Sequence, residues 1–422
     1  MAELRIGVVG IGQRAPLAVP ANRPGTARVV SCADPDPYAL ATARELFGPE
    51  AALHRDHRDM LADSLDAVFV LTPDFVHTEP VRFFLAAGVA VFVEKPLAIT
   101  VADCDAVLAE AARTGTRLYV GHNLRHLPVL RRMRALIEQG AIGTVRSVWC
   151  RHFVGHGGDF YFKDWHAERA RTTGLLLQKG AHDLDAMHWL ASGYSRTVVA
   201  LGGLTVYGDN PHRREGAATA AGRRMPDWFD ADAWPPAALR DLNPVIDVED
   251  LSMMLSRLDN GVFTSYQQCH YTPDYWRNYT VIGDEGRLEN FGDGLSGEEA
   301  TVKVWNKRRS GYRPDADLTV TFPADPPEPG NAEHPGSGAD TEEGVAAEDG
   351  DGGHGGADAA LVAEFLRFAA QGGPTETSPV AAREAVAAGV AATASLRAGG
   401  VPVPVEPPDP EIVRYFAAHQ AR

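Results

Sequence analysis

The chain is poor in cysteine. Of 422 residues only Cys32, Cys104, Cys150 and Cys269 carry thiols, and no two lie close together. Zinc sites are built from closely spaced Cys and His pairs, so no metal site is expected. Four scattered thiols suit a reducing compartment, and Cys32, inside a strand-like run, reads as a small core residue. No stretch approaches the roughly eighteen apolar residues of a membrane span. Met1-Ala2-Glu3-Leu4-Arg5 runs straight into a strand and leaves no room for a signal peptide, so the expected location is the cytoplasm. Positive charge is also scarce: 40 Lys and Arg face 56 Asp and Glu, a formal net charge of −16. Ten of those acids fall in residues 325–358, which contain no Lys or Arg, and the remainder carries −6. That balance excludes nucleic acid or an anionic membrane surface as the expected partner.

What is present is ordinary for a globular chain of two or three domains, with 45% apolar and 23% charged residues. Residues 5–9 form a short apolar strand followed by Gly10-Ile11-Gly12-Gln13-Arg14-Ala15. In this G-x-G-x-x-G/A pattern the first glycine permits a tight turn. The second lets backbone N–H groups approach a pyrophosphate, and Ala15 keeps the third position small. Pro16, Pro20 and Pro24 limit the helix that follows. A second apolar strand, 28–33, ends at Asp34. An acid there accepts hydrogen bonds from ribose hydroxyls and repels a 2′-phosphate; the other reading is a turn-forming aspartate. With no Lys or Arg in Pro35-Asp36-Pro37, NAD is favoured over NADP.

Strands and helices then alternate. Helices are expected at 37–47, 56–62, 77–88 and 101–114. Strands are expected at 66–71, 89–93 and 117–120, a pattern that specifies a parallel, doubly wound sheet. Each strand ends in a polar cluster: Thr72-Pro73-Asp74 with His77 nearby, then Glu94-Lys95-Pro96, then Gly121-His122-Asn123. Ligands of open α/β sheets bind at those carboxyl ends. An isolated Glu-Lys pair is more often a solvated loop start, but its place after the buried run Val91-Phe92-Val93 shifts the reading towards a site.

After Leu127 the pattern changes. A basic amphipathic helix covers 129–139, and a strand at 144–154 carries Arg151 and His152. An aromatic, polar loop at 156–166 includes Trp165, a mixture suited to sugar-like ligands or to a subunit interface. From Gln178 a helix is expected, placing Gln178, His182 and Asp185 on one face. A neutral histidine can take a hydroxyl proton as hydride leaves the same carbon, and a lysine can stabilise the developing alkoxide. Antiparallel strands follow at 248–257, 262–268 and 279–282, the first two joined by Asp259-Asn260-Gly261. A long insert (209–236) reads as a lid or an oligomer arm, and 325–353 reads as an acidic, disordered loop. His354 is a candidate substrate contact. Asp358 is expected to cap a helix over 359–370, and Ser378-Pro379 to open one over 380–397 whose alanine-rich face packs on the second domain.

The glycine loop, Thr72-Pro73 with His77, Glu94-Lys95-Pro96 and Gly180-Ala181-His182-Asp183-Leu184-Asp185 together resemble the glucose-fructose oxidoreductase / inositol dehydrogenase / rhizopine catabolism (Gfo/Idh/MocA) family. The resemblance implies an N-terminal Rossmann domain (1–124) and an α+β C-terminal domain (125–422) with a large, mostly antiparallel sheet. It implies NAD held by Gly10, Ile11, Gly12, Gln13, Arg14, Asp34, Thr72, Pro73, His77, Glu94, Lys95 and Asn123. Substrate is expected against Lys95, Arg151, Trp165, Gln178, His182 and Asp185, with Lys95 and His182 catalytic. One position departs from the family: relatives close to inositol dehydrogenase carry an aspartate four residues before the histidine, where this chain has Gln178, which cannot titrate. The expected activity is oxidation of a secondary hydroxyl of a sugar, glycoside or cyclitol by a homodimer or homotetramer. Glycoside cleavage through transient oxidation and a non-catalytic NAD-binding role are the alternatives.

Overall fold

The computed structural model describes residues 3–215, 233–295, 299–322 and 356–420. The acidic loop 325–353, His354 and positions 216–232 of the insert lie outside them.

Six short apolar runs pair into one fully parallel sheet: β1 (Leu4–Val9), β2 (Ala27–Ala33), β3 (Ala52–His54), β4 (Ala67–Val70), β5 (Ala90–Glu94) and β6 (Leu118–Gly121). Their spatial order, β3-β2-β1-β4-β5-β6, is that of a Rossmann sheet. Strands β4, β5 and β6 are buried along their whole length, so they read as continuous apolar runs rather than alternating ones. Asp36 caps the Pro37–Phe47 helix, accepting the Tyr38 N–H at 2.9 Å, and Thr100 caps Val101–Thr114 through the Asp103 N–H at 3.1 Å. The strand order reverses between β1 and β4. The loops after β1, β4, β5 and β6 therefore open onto one carboxyl edge.

The second sheet has nine strands. They are β7 (Val145–Phe153), β8 (Ser195–Gly203), β9 (Leu251–Leu258), β10 (Phe263–Cys269), β11 (Trp276–Gly283), β12 (Arg287–Phe291), β13 (Ala300–Trp305), β14 (Leu318–Phe322) and β15 (Val403–Pro404). Their order is β14-β13-β12-β11-β7-β10-β9-β8-β15, antiparallel throughout except where β7 pairs with β10. The expected Asp259-Asn260-Gly261 turn joins β9 to β10. One face of this sheet shares a core with helices Pro128–Glu138, Gly180–Ala191 and Pro379–Arg397. The other face leaves Trp149, Leu201, Met253, Leu255 and Phe263 exposed.

The C-terminal segment returns to the first sheet. A division after residue 124 would assign the Ala357–Gln371 helix to the second unit. Instead Leu361, Val362, Phe365 and Phe368 complete a core with Ile6, Phe69, Phe92 and Tyr119. The Phe365 ring lies 5.0 Å from Phe69 and 5.5 Å from Phe92. Helix Pro379–Arg397, opened by Ser378 and Pro379 as expected, contributes Ala385, Ala388 and Ala392 to the second core and Val380, Ala382 and Val386 to the first. Among the described residues no helix is long and apolar enough to cross a membrane, and no cluster of His, Cys, Asp or Glu could hold a metal ion.

Candidate active site

The site forms where β5 ends. The buried run Val91-Phe92-Val93 carries Glu94 and Lys95 to the carboxyl edge, and the Lys95 ammonium donates to the Gln178 carbonyl at 3.4 Å. Gln178 closes a short helix, Leu175–Gln178, and Gly180–Ala191 follows after Lys179, whose φ of −84° and ψ of −42° keep the backbone helical. Gln178, His182 and Asp185 thus stay on one face, as expected, and all three are buried. Lys95 sits one helical turn from His182.

The glycine loop supplies the other wall. Gly10 has φ +87°, and a Cβ there would lie 2.7 Å from the Thr72 nitrogen, so only glycine lets the loop after β1 touch the loop after β4. A Cβ on Gly12 would meet nothing within 4 Å, which leaves the loop open on the side where a pyrophosphate approaches. Gln13 is exposed beside it. Asp34 accepts the Ile11 N–H at 2.8 Å and the Asp36 N–H at 2.9 Å, so one carboxylate both makes the turn and fastens the glycine loop. The segment that follows is a 3-10 helix, Ala15–Ala21; Pro16 is harmless in its first turn, but Pro20 lacks the N–H that an α-helix would need there. Thr72 Oγ1 and Asn123 Oδ1 are buried without a hydrogen-bond partner among the described residues. Unpartnered buried polar atoms are rare, and here they flank the open glycine loop.

Several expected site residues have other duties. His77 is fully buried, with one ring nitrogen 2.8 Å from the Thr72 carbonyl and the other 2.8 Å from the Pro96 carbonyl. Burial keeps the ring neutral, so it donates to one of these carbonyls, and both nitrogens face backbone between the loops after β4 and β5. Arg14 bridges Glu94 at 2.7 Å and Asp358 at 2.9 Å; burial opposes its charge, but the two carboxylates outweigh that and hold it above its ordinary pKa. Asp358 also accepts from Asn123 at 2.9 Å. It therefore lies in the first turn of its helix, and Gly356 takes the N-cap position expected for it. Asp185 is held by Arg125 through two bonds of 2.7 Å, both partners buried, so it orients Arg125 rather than offering free oxygens to a substrate. Arg151 lies on the open face of the second sheet, donating to Asn278 at 3.2 Å. Its neighbour His152 points inward. Strand parity sends adjacent residues to opposite faces, and the covering helices lie on the His152 side. Trp165 stacks on His166 at 3.8 Å and meets Phe75 edge-on at 5.6 Å, joining the second unit to the loop after β4.

Three groups were not expected. Asp74, 6% exposed, reaches the Gln178 side chain, and burial pushes its carboxyl up to about 7 despite the Lys95 charge. Lys179 is lowered to about 7 by burial and by Arg277 and Lys95. Lys95 is lowered by burial, with Asp74 and Glu94 opposing. Beneath them Asp183 is fully buried and accepts from Tyr266 at 2.8 Å and Tyr279 at 2.5 Å, with His152 at 2.8 Å and Arg277 at 3.2 Å. That network fixes the helix carrying His182 to strands β7, β10 and β11. The scarcity of lysine, five in the whole chain, was the available signal for Lys179, since a residue so rarely used sits next to Gln178. Asp74 gave none beyond its place at a strand end.

The model of the oxidoreductase family with an NAD-binding Rossmann fold (Gfo/Idh/MocA) matches residues 4–122, and that of the Gfo/Idh/MocA C-terminal domain matches 130–289. The chain belongs to the Gfo/Idh/MocA oxidoreductase family. Within that family it is 32% identical over 222 residues to a 1-carboxy-3-chloro-3,4-dihydroxycyclohexa-1,5-diene dehydrogenase of Comamonas testosteroni, covering 51% of this chain and 54% of that protein. It is 31% identical over 193 residues to inositol 2-dehydrogenase 1 of Saccharopolyspora erythraea, covering 45% of this chain and 55% of that one. The chain thus spans about half the length of these curated relatives. The likeness in fold extends further. The crystal structure of an aldose-aldose oxidoreductase from Caulobacter crescentus, complexed with glycerol, matches 95% of this chain and 99% of its own with a TM-score of 0.67 at 19% identity. The open glycine loop and the unpartnered Thr72 and Asn123 fit the NAD of a Gfo/Idh/MocA protein.

Proposed function

We propose that this protein is an NAD-dependent dehydrogenase acting on a secondary hydroxyl of a sugar, glycoside or cyclitol. The observation that carries the reading is Lys95, brought from the carboxyl end of β5 to 3.4 Å from Gln178, one turn before His182. A cation from one unit thus reaches the helical segment that carries a histidine in the other, near a glycine loop open on one side. The names of the relatives, dehydrogenases of a cyclic diol and of inositol and an oxidoreductase of aldoses, support the substrate class.

Bound NAD would be held by the loop Gly10–Arg14, Asp34, Thr72 and Asn123, and supplies the hydride acceptor. Within this chain, Lys95 donates to the reacting oxygen and favours its alkoxide character, and its lowered pKa makes that donation stronger. His182 receives the hydroxyl proton. Asp74 stands in for the carboxyl that Gln178 replaces: from the other wall, and with a pKa of about 7, it can take up a proton passed along the cleft. Asp34 and the absence of cations at 35–37 support NAD. Arg55, which donates to the Pro35 carbonyl at 3.1 Å, bears the other way. Residues 1–124 form the cofactor half, closed by the Ala357–Gln371 helix. The exposed apolar face of the second sheet supports a homo-oligomer.

The test is NAD and NADP reduction by the purified protein over a panel of pyranoses, aldonates, uronates and cyclitols, with Lys95→Met and His182→Ala beside it. A dehydrogenase reduces NAD with at least one panel member, and either substitution lowers kcat by 100-fold or more. Failure to bind either dinucleotide by fluorescence would sink the reading. Sugar release from glycosides without net NADH would replace it with redox-assisted cleavage.

A further inference from the structure

We propose that the substrate carries a carboxylate and that the Lys179 ammonium binds it, leaving Lys95 for the reacting oxygen. This inference rests on the dehydrogenase reading above and names its substrate class. Among the described residues no carboxylate comes within ion-pair distance of Lys95 or Lys179. A half-buried ammonium with no counter-charge is unfavourable in a folded protein unless a ligand supplies one.

The surroundings of Lys179 are cationic or neutral. Its ammonium lies 5.8 Å from the centre of the Tyr161 ring. Arg277, on β11, shares its charge with Asp183 at 3.2 Å and Asp293 at 3.5 Å, so both acids nearest Lys179 are already engaged. His166 is influenced by Lys95 and Lys179 alike and His270 by Lys179; burial holds both imidazoles near a pKa of 3, hence neutral. His166 Nδ1 and His270 Nε2 are buried with no hydrogen-bond partner among the described residues. The Lys179 ammonium suits a singly charged, two-oxygen acceptor, and His270 Nε2, an acceptor because the Nδ1–H faces the Asp250 carbonyl at 3.3 Å, suits a neighbouring substrate hydroxyl. A phosphate, with more charge and more oxygens, calls for guanidinium forks or rows of backbone N–H groups, and among the described residues the Arg277 guanidinium beside this wall is committed to Asp183 and Asp293.

Burial and the neighbouring cations lower the Lys179 pKa to about 7 in the empty site, so anion binding draws a proton and weakens as pH rises. Asp74 faces Lys95 and Gln178, so the proton-accepting carboxyl lies with the reacting hydroxyl and not with Lys179.

The experiment is calorimetric titration of the full chain, saturated with NADH, using D-glucuronate, D-galacturonate, the parent D-glucose and D-galactose, myo-inositol and D-glucose 6-phosphate, with NAD reduction followed in parallel. At least one uronate should bind roughly 100-fold more tightly than its parent sugar, and this advantage should shrink between pH 6.5 and pH 9. Lys179→Met should erase the advantage while leaving NADH affinity and the thermal midpoint unchanged, and Lys179→Arg should restore part of it. Equal binding of uronates and parent sugars, no uronate binding, tighter binding of the phosphate, or a preference surviving in Lys179→Met would each overturn the inference. Neutral sugars reduced as fast as uronates would leave the dehydrogenase reading standing without it. Uronate binding through Lys179 with no NAD reduction would do the reverse.

Discussion

Asp74→Asn should make the protein more stable and less active, and the first effect should depend on pH. Asp74 is 6% exposed and its carboxyl is raised from 3.8 to about 7, chiefly by burial. Between those values the folded state holds a proton that the unfolded chain has released. Stability contributed by the neutral carboxyl is therefore lost as pH climbs, and the loss levels off above about 7. At about 1.4 kcal/mol per pH unit the charged form costs about 4 kcal/mol at pH 8, and relaxation around the carboxylate brings the expected gain from asparagine to about 2 kcal/mol. At pH 5 the gain should fall below about 1 kcal/mol by the same relation. Urea denaturation of both proteins at pH 5, 6.5 and 8, followed by tryptophan fluorescence, reads this directly. In parallel, the rise of kcat/KM through pH 7 should disappear in the variant and its plateau should drop about 100-fold. A variant destabilised equally at all three pH values, or one with an unchanged pH profile, would refute the assignment of a buried, titrating carboxyl.

Asp185→Ala leaves Arg125 buried and unpaired, and should cost about 3–5 kcal/mol of stability; Asp185→Leu with Arg125→Met should recover most of it, read by urea midpoints. Phe365→Ala should lower stability by about 3–5 kcal/mol although the residue is remote in sequence from the sheet it fills. Gly12→Val should abolish NADH binding with an unchanged unfolding midpoint, whereas Gly10→Ala should lower the midpoint itself, because φ is +87° and Thr72 blocks the added Cβ. Leu255→Arg on the open face of the second sheet should reduce the mass measured by light scattering to that of one chain while leaving the circular dichroism spectrum unchanged.

The fold was legible because its signals are local. Apolar runs closed by glycine or by a polar cluster marked β1, β4, β5 and β6, and Ser378 with Pro379 marked where the Pro379–Arg397 helix begins. The pairing of Lys95 with the His182 helix was also legible, since both lie in short motifs of strong character. What escaped depends on partners distant in sequence. The choice between Arg151 and His152 was set by which face of β7 the covering helices take. His77 gave no sign that both ring nitrogens would face backbone carbonyls. Asp74 and Lys179 owe their unusual proton affinities to burial where the two units meet. The alanine-rich face of the last long helix pointed to the second domain alone, whereas Pro379–Arg397 serves both cores.

That last arrangement governs the order in which the molecule can be made. The Rossmann half is complete in sequence by residue 121, but its aromatic centre, Phe69, Phe92 and Tyr119, is covered only when Phe365 and Phe368 arrive. A ribosome that has released the first hundred or so residues has therefore released a sheet with one greasy flank bare, and must synthesise eight of the nine strands of the second sheet before that flank is sealed. A fragment ending near residue 124 should therefore expose that flank and aggregate. The same late clasp holds the finished halves at both ends, which favours small adjustments of the cleft over wide opening when a ligand enters.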